Sequence, residues 1–271
     1  MKNSEQNRQE ILKNLELHDP VDNKIRVGRN VDGGYVIIDG YEYDCILSAG
    51  IANDVGFEEH FAKLYPNTDS YAFDGTGYDR PLSLPENFKF IKNNIGTVST
   101  DDGRQIYSNG GLHTYNGKIT NLKEYIKDYK NAFIKMDIEG EEWNWIRVFE
   151  DSFDKVKQFV FEAHVLFPHL QDQGLVGAHS QGLSNDEWAD NILESLKVLN
   201  KTHYLVHVHE NNAPDTVKIG DYQYPTCYEF TYIRKDCKVN GLNTKSLPIE
   251  GLDFPISLRP SNDINFYPFK F

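Results

Sequence analysis

The stretch FIKMDIEGEEW, residues 133–143, closes an apolar run with Asp137 and follows it with Glu139, Glu141 and Glu142. Four carboxylates in six positions can edge an active site, or they can form the acidic first turn of a helix, where they favour the helix dipole. Asp137 lies where the apolar run stops, at the edge where open parallel sheets take ligands. Glu141 and Glu142 suit the helix start, and Glu139 suits either. Farther on, Glu162 and His164 in FEAH fall on one side of a strand by their two-residue spacing, as do His207 and His209 in HVHENN. A lone strand histidine is more often a hydrogen-bonded core residue. Acids and imidazoles gathered at one rim, however, supply a general base or ligands for a hard divalent metal ion. Asp137, Glu162 and His164 are the candidates for the base, and Asp137, Glu162, His164 and His209 for the metal. Spacing alone does not separate the two.

A second chemistry-bearing stretch is LSAGIANDVGFE, residues 47–58. Gly50 and Gly56 flank a narrow turn that opens a helix, where backbone N–H groups can approach a ligand closely. Asp74 ends the next strand, 24 residues after Gly50, about where an acid grips the hydroxyls of a nucleoside ribose. Ala52 stands where a second glycine would complete a dinucleotide fingerprint. The turn is therefore poor for a pyrophosphate and asks for a nucleoside without one, such as S-adenosyl-L-methionine.

Strands must deliver these residues to one edge. Residues 4–17 carry Ile11, Leu12, Leu15 and Leu17 at helical spacing. A hairpin with its turn at 30–34 follows, then strands at 43–50, 69–75, 88–96, 132–137 and 157–164. Helices are predicted at 56–65, 120–130, 141–150 and 184–201, the last with a capping box of Ser184 and Glu187. The stretch 97–117 reads as a loop or short hairpin. Two late strands, 203–210 and 226–235, are joined by a long connection that suits an antiparallel pair. Alternation of this kind predicts an α/β fold: a Rossmann-like, seven-stranded, mostly parallel sheet with helices on both faces and an antiparallel edge strand. No linker divides the 271 residues, so one domain is expected, with 1–23 as a helical extension, 24–239 as the core and 240–271 as a tail packed on it.

The net charge of −13 argues against nucleic acid or an anionic membrane as partner, since both demand clustered cations. No apolar run reaches the ~18 residues of a membrane span. The polar N-terminus lacks the apolar core of a signal peptide, and three cysteines without a CxxC pair fit a reducing compartment. The reading is a cytoplasmic protein.

These motifs resemble the FkbM-type S-adenosylmethionine-dependent methyltransferases. The likeness lies in RVGRNVDGGYV (26–36), LSAGIANDVGFEEHF (47–61), YAFDGT (71–76), FIKMDIEGEEW (133–143), FEAH (161–164), HVHENN and CYEFTYIRK, and spans about residues 24–235. It is closest to the branch with an R-x-G-x-x-x-DGGY opening. The resemblance implies a class I methyltransferase fold and O-methylation of a hydroxyl on a sugar, surface-glycan precursor or polyketide. It implies that Ser48, Gly50, Asn53 and Asp54 face the methionine part. Asp74 and Gly75 would hold the ribose, Asn94 and Ile95 border the adenine, and Asp137 lie between donor and acceptor. Ser48 replaces an acid often found in class I enzymes, which leaves the methionine ammonium to Asp32 or Asp137. The stretches 97–117 and 164–182 and the tail from Asn240 would shape a pocket for a sugar or sugar-phosphate acceptor. Competing readings are a nucleotide-binding oxidoreductase or sugar-nucleotide enzyme, a metal-dependent hydrolase using the Asp/Glu/His rim, and a non-catalytic nucleoside-binding module.

Overall fold

The computed structural model describes residues 4–75, 83–99, 104–108, 111–115, 118–166, 184–219 and 222–256. The chain opens with α1 (Ser4–Lys13), β1 (His18–Pro20) and the hairpin of β2 (Lys24–Val27) and β3 (Tyr35–Ile38). The first strand–helix–strand unit is β4 (Cys45–Ala49), α2 (Gly56–Leu64) and β5 (Asp69–Phe73). The third predicted strand divides at Lys92 into β6 (Phe88–Ile91) and β7 (Asn93–Ile95). A hairpin, β8 (Arg104–Ser108) and β9 (Gly111–Tyr115), precedes β10 (Lys118–Thr120) and the short α3 (Lys123–Ile126). Then come β11 (Ala132–Met136), α4 (Glu142–Val148), a 3-10 turn over Glu150–Lys155 and β12 (Val156–His164). The chain continues with α5 (Asn185–Thr202), β13 (His203–Ile219), β14 (Tyr222–Arg234) and β15 (Val239–Leu242).

Seven strands form the central sheet in the order β13-β14-β12-β11-β4-β5-β6. The first five core strands are parallel, and β14 runs against both β12 and β13. The expected mostly parallel Rossmann-like sheet is therefore present. Its reversed strand stands second from the edge, with β13 outermost. The two late strands are longer than the hydrophobic pattern predicts, because the intervening residues continue the hairpin to Ile219 and Tyr222. Strand order reverses between β4 and β11, which opens a crevice beyond their carboxyl ends.

Each face of the sheet buries a different set of side chains, as period-two alternation demands. On one face Trp143, Trp145, Phe149, Phe159, Phe161, Trp188 and Leu196 pack beneath α4, α5 and α1. Trp145 stacks on Phe149 at 4.2 Å, and the Trp143 and Trp188 indoles donate to the carbonyls of His164 and Val165. The tryptophans of the EEWNW stretch are thus core residues. The opposite face is covered by α2 and the β2–β3 hairpin, with Tyr35, Phe57, Phe61, Phe133 and Val160 between them. Residues Ile11 and Leu15 anchor α1 to the main core, and β1 pairs with β15, the short strand after the sheet. At the start of α5 the Ser184 hydroxyl and Glu187 carboxylate form the expected reciprocal capping box. Among the described residues no helix is long and apolar enough to cross a membrane.

Candidate active site

The glycine turn leaves β4 at the order reversal. Gly50 takes φ +75°, and a Cβ there would lie 1.6 Å from the Asp137 carbonyl oxygen, so only glycine lets the two loops touch. The Gly50 carbonyl accepts from the buried Lys135 ammonium at 2.9 Å. Ala52, also at positive φ, donates its N–H to Asp74 Oδ2 at 2.8 Å. The acid at the end of the second core strand thus grips the backbone of the turn after the first. Asp54 accepts from the Gly56 N–H where α2 begins and pairs with Arg29 of the DGGY hairpin at 3.1 Å.

Register places the rim residues in one line. One step beyond the last parallel rungs, Asp74, Gly50, Asp137 and Glu162 stand side by side. The row continues through Glu229 to His209 on the two antiparallel strands. Behind Asp137 the chain turns sharply, with Glu139 at φ +60° and Gly140 at φ +103°. Glu142 holds this turn, accepting from the Ile138 N–H at 2.8 Å and the Gly140 N–H at 2.9 Å. Glu142 stands at the start of α4, as the sequence predicts, and its carboxylate also ties down the turn before it.

His164 lies among carboxylates. Its Nδ1 is 3.2 Å from Glu142 Oε1, and its Nε2 is 3.6 Å from Glu162 Oε2 and 3.9 Å from Glu139 Oε2. Burial works against a charged ring here, yet Cys227 and Glu142 carry its pKa well above the ordinary histidine value. Burial likewise pushes the Cys227 thiol well above its ordinary value. Burial, reinforced by Asp137, drives Glu162 well above the usual carboxylate range. Burial pushes Asp137 up to about 6, against the pull of Lys135 and then His164. Burial thus raises both rim carboxyls, and the groups around His164 raise its pKa as well.

The other expected site residues divide between rim and core. Ser48 is fully buried and gives its hydroxyl to Glu58 beneath the turn, so it is committed to the interior. Asn53 is exposed at the tip of the turn. Asp32 is exposed in the hairpin turn, with Oδ1 accepting from the Gly33 N–H. Gly75 faces Asn94 so closely that a Cβ would meet the Asn94 amide at 2.4 Å. Asn94 Nδ2 is buried without a hydrogen-bond partner among the described residues, and Ile95 is buried in the main core. His209 does not join Asp137, Glu162 and His164: its Nδ1 meets Glu229 Oε2 at 3.1 Å. The reason is β14, which stands between β12 and β13 and adds a second strand spacing of ~4.8 Å. His207 is likewise turned away, to Asp253 of the C-terminal segment at 2.9 Å. Sequence reasoning missed Cys227, whose only signal is its register opposite His164. Of the stretches expected to shape an acceptor pocket, 100–103, 109–110, 116–117, 167–182 and 257–271 lie outside the described residues.

The strand order, with the reversed strand inserted before the edge, is that of the class I methyltransferase fold, a statement about architecture and not yet about activity. Neither a protein-family model nor a curated protein matches the chain. Among solved structures it is similar to a Methanococcus jannaschii fibrillarin pre-rRNA processing protein, with 13% identity, TM-score 0.37, and coverage of 72% of this chain and 68% of that one. It is also similar to a fibrillarin/Nop5p complex, at 11% identity and TM-score 0.40 over 73% of this chain and 75% of that one. A third is the precorrin-6y C5,15-methyltransferase of Geobacter metallireducens GS-15, at 10% identity and TM-score 0.33 over 86% and 90% of the two chains. Likeness at this level assigns no role to any residue of the rim.

Proposed function

We propose that the chain is an S-adenosyl-L-methionine-dependent methyltransferase acting on a hydroxyl of a sugar or surface-glycan precursor. One observation carries the reading: at the reversal of strand order, Asp74 holds the backbone of the glycine turn while Gly50 lies against Asp137. The residues fit the cofactor. A buried amide donor on Asn94 without a partner among the described residues and the side-chain-free Gly75 suit the adenosine end, and Asp74 suits the ribose hydroxyls. Asp32, in the hairpin turn, is assigned to the methionine ammonium, since Ser48 is spent on Glu58.

S-Adenosyl-L-methionine supplies an already activated methyl group, so the protein's share is alignment and removal of one proton. Asp137 is the acceptor of that proton. It is ionised above about pH 6 and stands at the rim between the turn and Glu162. Glu162, its register neighbour on β12, and His164, 3.6 Å from Glu162, complete the rim at which the acceptor hydroxyl is placed.

Calorimetric titration with S-adenosylmethionine, S-adenosylhomocysteine and NADH tests the assignment. Binding of both sulfur nucleosides and not NADH is expected; no binding of either at tens of micromolar would sink it. NADH binding alone would favour the oxidoreductase reading. Screening neutral sugars, sugar phosphates and sugar nucleotides for methyl transfer then identifies the acceptor.

A further inference from the structure

We propose that Glu162, His164 and Cys227 form a binding site for a borderline first-row divalent cation of the zinc type, with Glu142 orienting the histidine. The site goes beyond the methyl-transfer reading and does not depend on it; the cation displaces the protons that the Cys227 thiol, the His164 ring and the Glu162 carboxyl would otherwise hold.

One ligand atom from each of the three side chains lies within 4.8 Å of the others. Glu162 Oε2 is 3.4 Å from Cys227 Sγ and 3.6 Å from His164 Nε2. Tetrahedral zinc, with bonds of about 2.0–2.3 Å, requires its ligand atoms to stand about 3.3–3.8 Å apart. The two separations therefore already match a shared central ion. Sheet geometry produces the set: His164 pairs directly opposite Cys227, and Glu162 lies two residues earlier on the same side of β12.

The surroundings are also those of a ligating histidine. Its Nδ1 faces Glu142 Oε1 at 3.2 Å, which leaves Nε2 toward Glu162. Glu142 cannot swing away, because both its oxygens accept backbone N–H groups. The end of β12 is fixed as well, by the Trp143 indole on the His164 carbonyl at 2.7 Å. A carboxylate behind the ring that fixes the direction of the other nitrogen is the usual outer support of zinc histidines. Glu139 Oε2, 3.9 Å from Nε2 on a half-exposed side chain, or solvent, completes four-coordination. The thiol decides the kind of ion: magnesium and calcium prefer all-oxygen sets, whereas mixed sulfur, nitrogen and oxygen ligands suit zinc or cobalt. This replaces the hard-ion set with His209 that the sequence suggested.

Cobalt(II) titration of the chelator-stripped full chain reads the site without any methyl donor. About one equivalent should give a near-ultraviolet sulfur-to-cobalt charge-transfer band with intense tetrahedral visible bands. Zinc should erase both, and magnesium neither. The Cys227→Ser variant should lose the charge-transfer band while Cys237→Ser retains it, with thermal melts verifying that both are folded. Glu142→Gln should weaken cobalt binding by about 10–100-fold, the usual effect of removing an outer support. Absence of the band in the folded wild-type chain would overturn the proposal, as would a band that survives Cys227→Ser. Either result leaves nucleoside binding untouched, so the two assignments fail separately.

Discussion

At the scale of single residues, the rim is decided by who holds protons. Asp137 is raised to about 6 by burial, whereas an aspartate in the unfolded chain titrates near 3.9. A carboxyl whose folded-state pKa is raised favours the folded state fully below its unfolded pKa. That contribution is lost as pH rises through about 6. Asp137→Asn should therefore raise the melting temperature at pH 7.5, with the gain vanishing near pH 4. The same substitution should cut turnover by about 10²–10⁴, the usual worth of a positioned base, while leaving S-adenosylhomocysteine affinity within a few-fold. Melting curves across pH and steady-state rates read the two effects. In the wild type, turnover should climb as pH passes through 6, since only the ionised acid accepts the proton.

At the scale of elements, the glycine turn works because two loops touch through backbone. Lys135 reaches from the adjoining strand to the Gly50 carbonyl, and Asp74 from the other side to the Ala52 N–H. Gly50→Ala would force a Cβ into the Asp137 carbonyl at an unfavourable φ. A loss of about 2–4 kcal/mol in stability is expected, as for other substitutions that meet both a steric and a backbone conflict. Nucleoside binding should disappear as well, measured by urea unfolding and calorimetry on the surviving folded fraction. The long β13–β14 hairpin acts at the same scale, because inserting β14 between β12 and β13 brings Cys227 to His164 and separates His209 from it.

Over the whole molecule, the C-terminal segment closes the face that the hairpin leaves open at the sheet edge. Asp253 is buried against His207 at 2.9 Å and accepts from the Ile249 N–H at 2.6 Å, while Arg26 donates to the Leu252 carbonyl. Burial alone would raise the Asp253 pKa, but His207 beside it brings it below the usual value. A depressed carboxylate stabilises above its unfolded pKa and loses that contribution as pH falls through the folded one. Asp253→Ala should thus cost about 2–3 kcal/mol near neutrality, the worth of a buried charge-assisted hydrogen bond. The penalty should shrink in acid, read from urea midpoints at pH 7 and pH 3.5.

Local pattern was enough for the residues whose neighbours in sequence are also their neighbours in space. Short apolar runs fix β4, β5, β11 and β12, and a capping box fixes the start of α5, because these depend on contacts a few residues apart. Asp137 was legible for the same reason, as the acid where a buried strand stops. Glu142 was legible as a helix-start acid, though not as the support of His164. What required the tertiary structure was lateral order. Whether Glu162 and His164 meet Cys227 or His209 depends on which strand lies next to β12, and no period within one strand encodes its partner. Burial was the other hidden quantity. Ser48 looks like a loop-facing hydroxyl until Glu58 of α2 packs over it, and no local pattern shows His164 ringed by Glu139, Glu142 and Glu162.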